Sequence, residues 1–255
     1  MRTIITMLMT MFISASAISQ TIKNYNLKDF NSISITGGAN ITIIQGKKYE
    51  VRAEYNLQEG KDPIIQKSGN LLVIKNQGKN SKPQSGNYYL NLYITMPELK
   101  DFYSKGSLTL HLAKMEKLKD VNLKSSGAAT IIIDELKCKN LTINQNGATT
   151  MEGNIICDNI VDINTNGAGK YTCEIIANLL SMSSNGAAEI YTSFKGHTCS
   201  VQSNGSSEIE LSAECSSLSC TSHGASKISV SGTADVTEIK SNGASSINTS
   251  RLNQF

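Results

Sequence analysis

Seven short words recur along the second half of this chain at a nearly constant spacing. They are Ser126-Gly127-Ala128, Asn146-Gly147-Ala148, Asn166-Gly167-Ala168, Asn185-Gly186-Ala187, Asn204-Gly205-Ser206, His223-Gly224-Ala225 and Asn242-Gly243-Ala244. Successive glycines lie 20, 20, 19, 19, 19 and 19 residues apart. Lys105-Gly106-Ser107 reads as a degenerate earlier copy. A fixed period of this length marks a repeat architecture, in which one supersecondary unit is copied along the chain.

The flanks identify the unit. Four residues before the glycine stand Leu123, Ile143, Ile163, Met182, Val201, Cys220 and Ile239, all apolar, and two before it stand small or polar residues. Four residues after it stand Ile131, Met151, Tyr171, Ile190, Ile209, Ile228 and Ile247, apolar again. Alternation of period two on both sides of a glycine is strand–turn–strand. Glycine supplies positive φ at the corner, and an Asn before it tolerates the left-handed region. A unit of 19 residues is too short for a strand–helix crossover and too regular for a meander of unequal hairpins. The expected fold is therefore all-β: a parallel right-handed β-helix (solenoid) with coils of 19–20 residues, preceded by a less regular β region. The rival is an antiparallel array, since Asn-Gly is also the strongest short hairpin signal.

Composition bears on what fills such a fold. Aromatic residues make up only 5 % and Trp is absent, so the core must be built from Ile, Leu, Val, Ala and small residues. At the N-terminus, Arg2, the apolar stretch Ile4 to Ile13 and the small-x-small Ala15-Ser16-Ala17 read as a secretory signal peptide. The expected organisation is a signal peptide over 1–19, an irregular β region over 20–110 and the repeat region over 111–255. No second apolar run follows, so no membrane span is expected, and the mature chain is placed in the periplasm, on the outer surface or outside the cell. Charge divides the same way. Residues 18–126 carry 16 Lys+Arg against 9 Asp+Glu, whereas residues 127–255 carry 7 against 12. The net +3 is too small to indicate a nucleic-acid partner.

Residues 20–110 read as strands without the short period: Ile33-Ser34-Ile35, Ile41-Thr42-Ile43, Val51-Arg52-Ala53, Leu71 to Ile74 and Tyr89 to Ile94. The segment Phe30-Asn31-Ser32-Ile33-Ser34-Ile35, then Gly38-Ala39-Asn40-Ile41-Thr42-Ile43, then Gln45-Gly46 and Tyr49-Glu50-Val51 resembles the opening of the putative auto-transporter adhesin, head GIN domain family. The serial Gly-Ala words downstream resemble the rest of that domain. The resemblance covers roughly residues 28–250, and it implies an exported protein of Gram-negative bacteria with a β-helical fold. It carries over no catalytic or binding residue.

An inventory of chemistry favours a non-enzyme. His111, His197 and His223 lie far apart in sequence, and none sits beside a Cys or a carboxylate pair in a metal-binding spacing. Outward positions five before each glycine are Asn122, Thr142, Asp162, Ser181, Ser200, Ser219 and Glu238, and the one carboxylate between Thr142 and Ser181 is no catalytic pair. A charged ladder of Lys170, Glu189, Glu208 and Lys227 falls three residues after successive glycines. It reads as a solvated series in which Lys170 pairs with Glu189 and Lys227 with Glu208. The sharper alternative is a Ca²⁺ site of Glu189, Glu208 and Glu210, since hard cations want several oxygens. The flanking lysines argue against that site, and no cofactor is expected. All six cysteines fall in the repeat half. Buried thiols are favoured, while Cys138 and Cys157 occupy matching places one repeat apart and could approach disulfide range. Seven of the nine tyrosines precede residue 104, so aromatic anchors for a ligand belong to the basic N-terminal region. The expected contact is Tyr88-Tyr89 beside the polar segment Gln77 to Asn87. Three functions are open on these grounds: recognition of a glycan or protein surface, a structural scaffold, and a polysaccharide-active enzyme.

Overall fold

A computed structural model describes residues 20–56, 61–76 and 89–253. The segment 1–19 expected to be a signal peptide, the segment Gln77 to Asn87 and Tyr88 lie outside these residues. Twelve strands follow in order: β1 (Thr21–Tyr25), β2 (Ser32–Thr36), β3 (Ala39–Gln45), β4 (Glu50–Asn56), β5 (Ile64–Ser68) and β6 (Leu71–Lys75), then β7 (Tyr89–Met96), β8 (Asp101–Leu112), β9 (Met115–Gly205), β10 (Glu208–Gly224), β11 (Lys227–Gly243) and β12 (Ser246–Asn253). The all-β class follows from the period-two burial. Along β7, for example, Leu90, Leu92, Ile94 and Met96 are buried and the residues between them are not.

The parallel right-handed β-helix expected from the repeat is corrected by the sheet topology. The strands form one mixed twelve-stranded sheet with the path β1-β4-β7-β3-β8-β9-β10-β11-β12, and β2, β6 and β5 branch from β8. That path has two ends, so it does not close. It is mixed because β4 runs antiparallel to both β1 and β7, and β5 runs antiparallel to β6. A repeat period dictates which residues pair, and it does not by itself dictate how the whole sheet is wound. The short-range antiparallel element is β5–β6, where Ser68 pairs with Leu71 across Gly69-Asn70, with Gly69 at φ +60°.

The period does govern pairing in the second half. Glu208 pairs in parallel with Glu189 and with Lys227, 19 residues away on either side. Towards β9 the offset holds as far as Gly224 opposite Gly205, and towards β11 it slips by one where Leu218 faces Val236, then returns through Ser219 to Gly224 opposite Gly243. The glycines stack under a tight steric constraint. A Cβ on Gly147, at φ +131°, would sit 2.2 Å from the carbonyl oxygen of Gly127. Gly186 lies outside the left-handed range, yet a Cβ there would meet the Gly167 oxygen at 2.1 Å. Gly147 is therefore required by both backbone conformation and close approach, and Gly186 by close approach alone.

Inside the sheet, Ile, Leu, Val, Ala and Cys fill one continuous core running from Phe30 to Ala234. The positions two before the glycines are also buried: Ser125, Gln145, Thr165, Ser184, Ser203 and Ser222. Some of these polar groups pair with one another across repeats. Ser184 Oγ meets Ser207 Oγ at 2.9 Å, and Ser203 Oγ donates to Ser226 Oγ at 2.8 Å.

Candidate functional site

The N-terminal tyrosines separate by the face their strand presents. Tyr55 is buried, and Tyr49 packs on the core with its ring 5.0 Å from that of Phe30. Tyr25 also packs against the core. Tyr89 and Tyr93 project outward from β7 on either side of Asn91, and Tyr93 is 38 % exposed. Neighbouring strands extend this outward surface. Arg52 of β4 pairs with Tyr93, and its guanidinium lies 5.5 Å from the ring centroid while also contacting Glu54. On the other side, Thr42 of β3 pairs with Tyr93, and Asn40 Nδ2 donates to Asn91 Oδ1 at 2.9 Å. The row continues to His111 of β8, whose Nε2 lies 2.9 Å from Asp134 Oδ1.

Tyr103 stands apart from that row. It projects from β8 beside Ser34 and Lys124, with the Lys124 ammonium 5.8 Å from the ring. Burial, followed by the charge of Asp101, holds its phenol above the ordinary tyrosine value. Of the expected Tyr88-Tyr89 contact, Tyr89 is half-buried on β7, and Tyr88 lies outside the described residues. Tyr93, counted with the other tyrosines but not singled out, is the more exposed anchor. Its signal was legible in the alternation of Tyr89-Leu90-Asn91-Leu92-Tyr93, which puts both rings on one side.

The same outward face changes character in the repeat half. Lys227 Nζ lies 2.9 Å from Glu208 Oε1, as its place in the ladder suggested. Lys170 instead sits over the ring of Tyr191, 5.2 Å from its centroid. Tyr191 pairs with Glu210 across the sheet, and its phenol is pushed up by Glu189 first, then by burial, Glu208 and Glu210. The three carboxylates thus share one neighbourhood. Among the described residues, however, no group of three or more His, Cys, Asp or Glu is placed to hold a metal ion. An open hollow of about 790 Å³ lies along this stretch, with Glu152, Glu174, Tyr191, Glu210 and Arg251 in its lining. One repeat corner carries a linked set of ion pairs that the sequence did not suggest. Lys114 lies 3.1 Å from Glu116 and 3.0 Å from Glu135, and Lys137 reaches the same two carboxylates at 3.3 and 3.1 Å.

The flat face preceding each glycine has different chemistry. Asn166 donates to Asn146 at 3.0 Å, Asn185 to Asn166 at 3.1 Å, and Asn204 to Asn185 at 2.8 Å. These amides satisfy one another along the stack. The six cysteines are free and buried, and Cys138 Sγ approaches Cys157 Sγ to 2.8 Å.

Comparison with known proteins adds a lineage to this geometry. The putative auto-transporter adhesin, head GIN domain family matches residues 29–192 and 174–254. The chain belongs to that family. Solved structures resemble this adhesin-family chain across nearly its whole length. A putative adhesin from Parabacteroides distasonis is 16 % identical, with 93 % of this chain and 97 % of that one covered and a TM-score of 0.70. A putative adhesin from Bacteroides fragilis is 18 % identical over the same shares, 93 % and 97 %, with a TM-score of 0.59. A putative lipid binding protein, also from Parabacteroides distasonis, is 19 % identical, covering 90 % and 96 %, with a TM-score of 0.63. At these identities the likeness is one of fold. No curated protein matches the chain in sequence. Among the described residues of this family member, no helix is long and apolar enough to cross a membrane.

Proposed function

We propose that this member of the adhesin family is an exported, non-enzymatic protein that recognises a glycan or an acidic protein surface through the outward face of β4, β7 and β3. One observation carries this reading: Tyr89, Asn91 and Tyr93 stand in a single outward row, with Arg52 beside Tyr93 and Asn40 bonded to Asn91. Residues on a strand rise about 3.4 Å each, so the two rings, four residues apart, stand about 13–14 Å from each other on either side of the amide pair. Tyrosine and arginine are among the side chains enriched at recognition hot spots: tyrosine offers a large rigid ring, and arginine a planar fork of hydrogen-bond donors. The excess of Lys and Arg in residues 18–126 would steer an acidic partner towards this end.

A scaffold role without a ligand is the second reading. It is favoured by the face containing Asn146, Asn166, Asn185 and Asn204, whose amides bond to one another.

The deciding experiment screens the mature protein on an array of neutral, uronic-acid and sulfated glycans, beside a doubly substituted Tyr89→Ser/Tyr93→Ser form. The expected result is salt-sensitive binding to acidic glycans that falls at least about tenfold in the double variant, the loss of two anchor residues. Melting should hardly change, because both rings lie outside the core. Equal binding by parent and variant would remove this face from consideration, and no binding at all would favour the scaffold.

A further inference from the structure

We propose that Cys138 and Cys157 form a site of oxidative cross-linking, in which a disulfide joins two successive repeats when the protein meets a disulfide-bearing oxidant. The two residues occupy equivalent places 19 positions apart, one on each of two adjoining repeats. Their sulfurs lie 2.8 Å apart, and a covalent S–S bond needs about 2.05 Å. Less than about 1 Å of movement therefore separates the thiol pair from the bonded pair.

The surroundings supply an order of events. Cys157 borders an open hollow of about 650 Å³ together with Asp158, Lys195 and Glu214, and because its side chain is buried a small oxidant reaches the sulfur through a local opening on that side. Cys138 is not among the residues lining that hollow. Its hydrogen bond with Cys157, then burial, then the charges of Asp158 and Asp120 hold its thiol well above the usual range. The other cysteines are less suited. Burial pushes Cys173 up to about 12, it holds Cys199 well above the ordinary thiol value, and Cys215 Sγ donates to the Ser217 carbonyl at 3.4 Å.

In the reaction, the Cys157 thiolate attacks one sulfur of the oxidant, whose S–S bond breaks and releases a first thiol. Cys138 then attacks Cys157 Sγ and expels the second thiol. One S–S bond is lost and one formed; the protons of the two cysteines end on the two released thiols. The cysteines lose two electrons and the oxidant gains them. Exported proteins meet such oxidants, whereas cytosolic ones are kept reduced. The bridge would close a loop of about 20 residues and tie neighbouring repeats covalently.

The test incubates fully reduced protein with oxidised glutathione, removes the excess, and measures intact mass and free thiols in denaturant. The parent should lose the mass of two hydrogens and show four thiols where six were present before. Neither Cys138→Ser nor Cys157→Ser should lose two hydrogens. Reduction of the oxidised parent should lower its melting temperature by roughly 5–10 °C. Non-reducing digestion of the parent should yield the peptide pair containing Cys138 and Cys157, a readout that needs no variant to fold. Six thiols in the oxidised parent, a two-hydrogen loss that persists in either variant, or a different linked pair would each overturn the proposal.

Discussion

The two halves of this molecule bury similar side chains by different means. In the N-terminal region, β4 reaches across the chain to pair antiparallel with β7, so that Val51 meets Ile94, while β3 runs parallel to β7 and β8. Large residues such as Phe30, Phe102 and Met96 fill the space between these strands. In the second half every strand segment meets its own equivalent one repeat away, and the column of glycines permits the backbones to approach. The comparison teaches that a regular stack depends on what is absent from a position, a Cβ, whereas an irregular sheet depends on what is present. It also bears on the face proposed for recognition. Irregular pairing brings residues as different as Arg52, Tyr93 and Asn40 side by side, while the repeat places like beside like.

The sharpest way to break this comparison uses the same substitution in both halves. Gly147→Ala should cost about 3–5 kcal/mol, because strain at positive φ adds to a backbone collision. Gly69→Ala should cost only about 1 kcal/mol, because φ is +60° there but nothing lies within 4 Å of the added carbon. Chemical denaturation of both proteins measures the difference. Equal costs would show that the glycine column is a matter of backbone conformation alone.

A smaller effect is expected from the amide ladder. Asn185→Ala removes the bonds to Asn166 and Asn204 on an exposed face, and should destabilise the protein by about 1 kcal/mol. Asn40→Ala in the N-terminal region removes one such bond and should cost less. A ladder that contributed nothing would leave the two variants alike in melting.

The smallest effect concerns the linked ion pairs where the halves meet. Hydrogen bonds from Lys114 first and Lys137 second hold the carboxyls of Glu116 and Glu135 below their ordinary value. A depressed folded-state value stabilises the fold above the unfolded-state pKa of about 4.3, and that contribution is lost as pH falls through the folded value. Glu135→Gln should therefore melt slightly below the parent at pH 7 and level with it near pH 3. A gap of unchanged size at both pH values would assign the difference to packing.

Much of the repeat half was legible because its determinants are local. The spacing of the glycines announced the parallel register, and the residues four before and four after each glycine announced the core except at Gly243, where Ile239 is exposed and Ile247 only partly buried. Ser184, Ser203 and Ser222 were legible in part: they share a face with the apolar position two residues earlier, though their polarity concealed their burial. What the period could not convey was the mixed sheet, because the partners Val51 and Ile94 are distant in the chain and carry no common motif. The candidate site was legible as a region rather than as residues. A surplus of Tyr pointed to the N-terminal strands, but only pairing across β4, β7 and β3 put Arg52 and Asn40 beside Tyr93. Lys170 was assigned to Glu189 on charge alone, and the ring of Tyr191 offered a second partner that charge counting ignores.

The 19-residue offset on both sides of Glu208 has a consequence for inheritance. A recombination event that duplicates or drops one whole unit leaves each surviving strand opposite a partner of the same kind, with glycine still facing glycine. An insertion of one residue turns inward side chains outward unless a bulge absorbs it, as the irregular pairing between Cys215 and Ser219 does. Length in this half can therefore drift in steps of one unit while the outward face of β4, β7 and β3 stays unaltered.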